Sequence, residues 1–384
     1  MSTLETSLPD LAERNFIDGK WTFTREGYAL DIYDPSRSEV IAAVPLSTHR
    51  DVRRAIDAAG RALGPWSARP AAERARLVGR SLDHLEAELD GVAELTARDV
   101  GLPAPRARAD LERAIAVARE RLLDRAPGDD PGIIGQILAW SSPLVVSLDR
   151  LVPGLARGNV AVVKPSLRAP LSLVPWVEAL ERSDLPPGVL NLVQGTGLDV
   201  GAALARSPAL RRLDFVGSRA VARRVELGPR RTGVAVAAQL RAVQERPLAH
   251  DADLEAAAAR IADVAFGHAA RPGFGGLRVE APPGRLDALT RALWPRFAAA
   301  DFAGGPDAVA PLPTESARAA AELGRSGLLD AGARVVCASS APDPRTQRMG
   351  WFLPAQVLRG PSSLRLDPEV PYGPLVLLAE TPEA

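Results

Sequence analysis

Two segments of this 384-residue chain end an apolar run in groups suited to hold an anion. The first is G-N-V-A-V-V-K-P-S at 158–166, in which 160–163 reads as a strand and Lys164 follows it. A strand in that place delivers the ammonium to the C-terminal edge of a sheet, where its donors can reach ribose hydroxyls or a 2′-phosphate. The second is F-V-G-S-R-A-V-A-R-R at 215–224, a strand, a Gly217-Ser218 turn and then a helix start. N–H groups at a helix N-terminus favour an anion. Lys20 and Lys164 are the only lysines among 47 basic residues, so each position is informative, and Lys20 sits in a solvated turn, F-I-D-G-K-W. The single cysteine, Cys337, closes G-A-R-V-V-C and has no acid or base at useful spacing, which makes it structural. The four histidines lack metal-ligand spacing, and no P-loop or zinc motif is present.

The elements that must position these groups follow from periodicity. Short strands and turns occupy 16–44, with D-G-K and D-P-S as turn signals. Thr48 can cap a helix with Val52, Ile56, Ala59 and Leu63 as its apolar stripe. A second helix after Pro70 carries Leu77, Leu82, Leu85 and Leu89 on one side, and a third covers 106–125. From Ile133 the rhythm changes to β runs at 133–137, 160–163, 189–193, 213–216 and 234–237, alternating with helices. Repeated βαβ units predict a parallel sheet that binds nucleotides at the C-terminal ends of its strands. Helical text resumes at 253–265, and a second α/β region opens at Pro282-Pro283-Gly284.

Several segments, taken in order, resemble the aldehyde dehydrogenase superfamily. F-G-H-A-A-R-P-G-F-G-G-L-R at 266–278 resembles its active-site signature, F-x-N-x-G-Q-x-C-x-A-G-x-R. Phe266, Gly276 and Arg278 fall on fixed positions, while His268, Ala270, Arg271, Gly273 and Gly275 stand for Asn, Gly, Gln, Cys and Ala. The position of the nucleophile, Gly273, therefore has no side chain. I-L-A-W-S-S-P-L at 137–144 is similar to the family's P-W-N-F-P-L, keeping Trp140 and Pro143 but placing Ser141 at the oxyanion-binding asparagine. V-A-V-A-A-Q-L-R at 234–241 puts Ala237 at the glutamate that activates water, with Gln239-Leu240 for Gly-Gly. V-P-Y-G-P-L at 370–375 puts Val370 at the glutamate that holds the nicotinamide ribose. At the adenosine end, the resemblance implies that Lys164 contacts the ribose. The acid often found three residues later is Leu167, followed by Arg168. V-Q-G-T-G at 193–197 matches the glycine turn near the adenine, and Ala222 replaces the closing glycine of the 215–222 turn, so that a methyl obstructs close approach.

The resemblance implies an α/β fold: a Rossmann-like NAD(P)-binding-type domain at 8–238 and a truncated catalytic-type α/β domain at 239–384. It implies cofactor contacts from Trp140, Lys164, Gly197, Gly217 and Ser218, with NAD or NADP held weakly or not at all. The catalytic positions, Gly273, Ala237 and Ser141, are vacated. Three functions stay open: a catalytically impaired pseudoenzyme with an interaction or regulatory role, an NAD(P)-dependent aldehyde or semialdehyde oxidoreductase using a non-cysteine route with Ser141 or His268 as proton donor, and a subunit completed by a protein partner. Only L-L-D-R-A-P-G-D-D-P-G at 122–132 stands where the family inserts a β-hairpin, and the text ends at Ala384. The expectation is a monomer, or an oligomer unlike the family's usual one.

Composition narrows the class further. Hydrophobic content of 46% and charged content of 24% describe a globular protein, and zero net charge supplies no field toward nucleic acid or an anionic membrane surface. No leader is visible at 1–10, and one cysteine allows no internal disulfide, so a cytoplasmic location is expected.

Overall fold

The structure is a computed structural model describing residues 12–24, 27–122, 130–226, 228–267, 274–302, 304–305 and 308–381. The chain forms two compact units. Met1–Tyr33, Val40–Asp99 and Ala107–Leu240 make the first, and Asp34–Glu39, Val100–Arg106 and Arg241–Ala384 make the second.

The first unit begins with a hairpin of β1 (Asn15–Ile17) and β2 (Lys20–Thr22). Its two-residue turn places Asp18 at φ 55° and Gly19 at φ 72°, the paired positive angles that a tight right-twisted hairpin requires. A second hairpin joins β3 (Ala29–Tyr33) to β4 (Val40–Pro45). The βαβ text then gives β5 (Ile133–Ile137), β6 (Val160–Lys164), β7 (Leu190–Leu192), β8 (Leu210–Gly217) and β9 (Ala235–Leu240), close to the runs read from the sequence. They form one sheet in the order β2-β1-β7-β6-β5-β8-β9, with β7 through β9 parallel and β1 antiparallel to β7. Every residue of β5 and β6 is buried, as expected for strands covered on both faces.

Right-handed crossovers divide the helices between those faces. Pro143–Ala156 and Val174–Arg182, which link β5 to β6 and β6 to β7, lie on one face, with Ala71–Ala87 packed on both. The turn Gly197–Gly201 with Ala202–Ala205, and the helix Arg219–Glu226, lie on the other beside His49–Ser67.

Thr48 does cap His49–Ser67, in a reciprocal box with Asp51. The helix is rotated relative to the expected stripe: Val52, Ala55, Ala58, Ala59 and Trp66 are buried, while Ile56 and Leu63 are only half-buried. Small alanines let the helix approach the sheet closely, and the Trp66 indole anchors its end by donating to the Leu155 carbonyl at 3.0 Å. A further helix, Leu89–Val100, begins where Leu89 was expected to extend its predecessor.

The second unit is built on β10 (Ala242–Pro247), β11 (Phe274–Ala281), β12 (Arg334–Ala338), β13 (Gln356–Gly360) and β14 (Leu375–Glu380), in the order β10-β11-β14-β13-β12. All neighbours are parallel except β12 and β13. The helices Leu254–Phe266 and Pro283–Ala298 close a core of Phe266, Leu277, Val279, Leu293, Phe297 and Val376. Among the described residues, no helix is long and apolar enough to cross a membrane.

Candidate functional site

Strand order locates the site in the first unit. From β5 the chain winds to β6 and β7 on one side, then returns to β8 and β9 on the other. Such a reversal falls between the C-terminal ends of β5 and β8, the place where open α/β sheets bind ligands. Ile137 is in register with Lys164 on one side and Phe215 on the other, so the ends of β5, β6 and β8 are level.

Lys164 ends β6 and is buried, with its stem against the turn at Gly201. Its Nζ donates to the Pro165 carbonyl at 2.6 Å, the one acceptor found for its three N–H groups among the described residues. Burial pushes its pKa down to about 8. Leu167, at the position of the absent acid, turns inward and packs on the cluster of Ile32, Val44, Leu95 and Leu171. Arg168 is exposed beside it, and its N–H donates to the Ser166 hydroxyl at 3.2 Å.

At the end of β8, Gly217 leaves no room for a side chain: a Cβ there would stand 2.6 Å from the Phe215 ring. The Ser218 hydroxyl accepts from the Val221 N–H at 3.3 Å and so caps Arg219–Glu226. Ala222 is buried in the body of this helix, so its methyl packs inward and does not stand at the helix mouth. Two exposed apolar side chains, Leu198 in the Gly197–Gly201 turn and Val221 in the first turn of Arg219–Glu226, flank these helix starts. Sequence reading passed over both; the signal was an apolar residue placed among turn and cap residues. Gly197 itself is exposed, with open space where a side chain would be.

After β5, Trp140 is half-buried and Ser141 buried. Ser142, at φ 48° and ψ 50°, takes the left-handed turn into Pro143–Ala156 that non-glycine residues adopt at a cost. Ala237 is exposed on β9, in register with Asp214 of β8. Asp214 is buried, in register with Gln136 of β5, and ion-paired with Arg212 at 2.8 Å. Burial raises its pKa, and Arg212 opposes that rise. On the same face the Ser147 hydroxyl donates to Gln136 at 2.8 Å, and Arg150 donates to Gln239 at 2.8 Å. Sequence reading took 213–216 as a plain strand and missed this polar file.

In the second unit, Gly273, His268, Ala270 and Arg271 lie outside the described residues. Arg278 is fully buried in β11 and holds a loop: it donates to the carbonyls of Leu364 at 3.1 Å and Ser362 at 2.8 Å and pairs with Glu280. Val370 packs on the cluster of Leu328, Leu358, Leu366 and Tyr372. Arg325 fixes the same segment, with Nε and Nη2 both donating to the Tyr372 carbonyl at 3.0 and 2.9 Å. Cys337 is buried, its thiol contacts the Trp294 carbonyl at 3.8 Å, and burial pushes its pKa up to about 11. No group of three or more potential metal ligands exists among the described residues.

Comparison with known proteins agrees with this architecture. The model of the aldehyde dehydrogenase family matches residues 21–383. An α-ketoglutaric semialdehyde dehydrogenase of Bacillus subtilis is 29% identical over 66% of this chain, a match that spans 56% of that relative's length. The NADP(+) succinate-semialdehyde dehydrogenase GabD of Escherichia coli is 27% identical over 95% of this chain and 80% of its own. Among solved structures, a betaine aldehyde dehydrogenase of Staphylococcus aureus in complex with NAD+ superposes with a TM-score of 0.89 at 25% identity, covering 97% of this chain and 80% of that one. With the family model covering nearly its whole length, this chain belongs to the aldehyde dehydrogenase family.

Proposed function

We propose that this chain is an NAD(P)-dependent oxidoreductase of aldehydes or semialdehydes that works without a cysteine thiolate. The observation that carries the proposal is Lys164: a buried ammonium at the C-terminal edge of the sheet, beside its switch point, with two donors uncommitted among the described residues. A nucleotide supplies the acceptors this group lacks. The cap at Ser218 and the dipole of Arg219–Glu226 suit a pyrophosphate, and Leu198 and Val221 offer apolar surface to a base. These features support a dinucleotide at the C-terminal edge of the sheet. Such a cofactor, when bound, supplies the hydride chemistry.

The relatives are named dehydrogenases of semialdehydes and betaine aldehyde, which supports an aldehyde or semialdehyde substrate. A route through thiolate has no support in this chain, because its one cysteine is the buried, high-pKa Cys337. Ala237 cannot accept a proton, so no base step is assigned to it. That observation favours a second reading, a dinucleotide-binding protein with a regulatory role and no turnover.

Calorimetric titration with NAD+ and NADP+, followed by an assay over short aldehydes and semialdehydes, tests both. Binding with turnover that survives Cys337→Ala supports the oxidoreductase. Binding without turnover supports the second reading, and binding of neither dinucleotide removes both.

A further inference from the structure

We propose that the first unit carries a docking surface for an acidic segment of a protein partner, at the edge of its sheet opposite Lys164. The proposal goes beyond the nucleotide reading and does not depend on it: Lys164 and Gly217 close β6 and β8, whereas this surface lies where those parallel strands begin. Its mark in the sequence is local. Eight arginines and two acids fall between 206 and 231, in a chain whose net charge is zero. Both acids are already engaged, Asp214 with Arg212 at 2.8 Å and Glu226 with Arg230 at 3.5 Å.

The fold gathers the remaining cations. The helix Arg219–Glu226 crosses between the parallel strands β8 and β9, so its last turn returns Arg223 and Arg224 to the level at which those strands start. Gly228 seats the following turn on the end of Ala202–Ala205, so closely that a Cβ would collide with the Ala205 carbonyl oxygen. That contact sets Arg206 beside Pro229–Thr232, which carries Arg230 and Arg231. Arg211 packs its stem against Gly132, just ahead of β5, and Arg157 ends the helix that leads into β6. Arg157, Arg206, Arg211, Arg223, Arg224 and Arg231 are all exposed, and none has an ion-pair partner among the described residues. Elsewhere in the same unit Arg69, Arg80, Arg119 and Arg182 each face a carboxylate. Asp130, exposed ahead of β5, leaves the surplus at this edge positive.

Dimensions and chemistry select the occupant. β6, β5, β8 and β9 are consecutive in the sheet and span about 15 Å, the length of roughly four or five residues of extended chain. Guanidinium forks suit carboxylates as bidentate partners. A single-stranded nucleic acid needs aromatic rings for its bases to stack on, and the one aromatic residue in 206–231 is the buried Phe215. A duplex runs well past the patch, onto surface where the cations are already paired. A membrane surface needs exposed apolar side chains beside the cations, and Val221 sits at the other end of its helix. A short run of Asp and Glu has none of these requirements.

The test uses fluorescence anisotropy with the whole chain and three labelled probes: a peptide of about ten glutamates, its glutamine counterpart and a short duplex DNA. The glutamate peptide should bind at least about tenfold more tightly than the glutamine one, and more weakly as salt rises. Arg223→Glu, Arg224→Glu, Arg230→Glu and Arg231→Glu, combined in one chain, should lower that affinity at least about tenfold. The matching set of changes to Gln should lower it less, and carries the test if the reversed chain does not fold. Arg50→Glu with Arg53→Glu, exposed at the opposite edge, should leave the affinity within about twofold. Equal binding of the two peptides, tighter binding of the duplex, or unchanged affinity in the Glu and Gln sets overturns the proposal. So does a comparable loss in the Arg50 and Arg53 variant, which would make the attraction one of overall charge.

Discussion

Asp214 and Ala237 are register partners on β8 and β9, and their side chains leave the sheet on the face covered by Pro143–Ala156. A buried carboxylate therefore stands directly opposite Ala237. A glutamate placed there sets two acids side by side, and like charges directly opposite each other on a sheet destabilise it. Ala237→Glu is expected to lose on the order of 1 kcal/mol at pH 8 and less at pH 4, where an ordinary glutamate is mostly protonated. Asp214→Asn in the same background should relieve the loss. Chemical denaturation at the two pH values reads both; an equal loss at each would show that the two side chains do not interact.

Lys164 makes dinucleotide affinity depend on pH. Its ammonium is the form that holds a phosphate or ribose oxygen, and burial brings its pKa down to about 8. Affinity should therefore fall as pH rises above that value, and Lys164→Met should abolish the dependence along with most of the binding. The same group sets a stability trend of the opposite sign. Between about 8 and the unfolded value of 10.5 the unfolded chain holds more protons, so Lys164 makes stability rise with pH through that window. Lys164→Met should be more stable than the parent at pH 7, and the difference should shrink toward pH 10. A thermal-shift series from pH 6 to 10 checks the convergence.

Asp99 gives a trend at lower pH. Its carboxylate is fully buried and accepts from the Ser172 N–H at 2.8 Å, and desolvation raises its pKa to about 7. The folded chain holds this proton from the unfolded value of 3.8 up to about 7, so the contribution is complete below the first and lost as pH rises through the second. Asp99→Asn keeps the acceptor without the charge. It should match the parent near pH 4 and exceed it at pH 8 by on the order of a few kcal/mol. A deficit at pH 8 would show that the ionised form is held by partners that outweigh its desolvation.

Arg325 is a buried cation bonded to carbonyls. Besides Tyr372 it donates to the Pro354 carbonyl at 2.7 Å, and burial brings its pKa down to about 9. Arg325→Met leaves those carbonyls unpaired and should cost about 2–3 kcal/mol in urea denaturation. Proteolysis near 370–374 should accelerate in the same variant, since this segment is what the guanidinium holds.

Cys337 offers the simplest chemical check. A buried thiol whose pKa is about 11 should resist iodoacetamide at pH 7 until the chain is unfolded, by at least about a hundredfold in rate against a free thiol. Fast labelling of the native protein would reopen a thiolate route.

Much of this was legible in the sequence, for reasons that differ from place to place. The runs that became β5 to β9 were clear because buried parallel strands are written as continuous apolar text, and the Asp18-Gly19 turn because its positive angles admit few residue types. Lys164 stood out because lysine is rare in this chain and because it closes an apolar run that resembles the family's. Helix phase was not legible: in His49–Ser67 alanines face the protein's interior, and the larger Ile56 and Leu63 are left at its margin. Asp214 and Gln136 were hidden because a polar residue in a short strand looks the same whether it faces solvent or a neighbour across the sheet. Leu198 and Val221 were hidden for the converse reason, since apolar residues in turns read as noise until the chain is folded.

Arg278 separates two pressures that a motif normally blends. A residue bonded to the carbonyls of Ser362 and Leu364 inside a closed core cannot be exchanged without loosening the unit that contains it. A neighbour whose only duty is chemistry can be exchanged at the expense of turnover alone. The two therefore erode at different speeds under mutation. In a lineage drifting away from its ancestral reaction, the arginine of the signature would outlast the reactive residue beside it, and a matching pattern would certify ancestry long after it had ceased to certify activity.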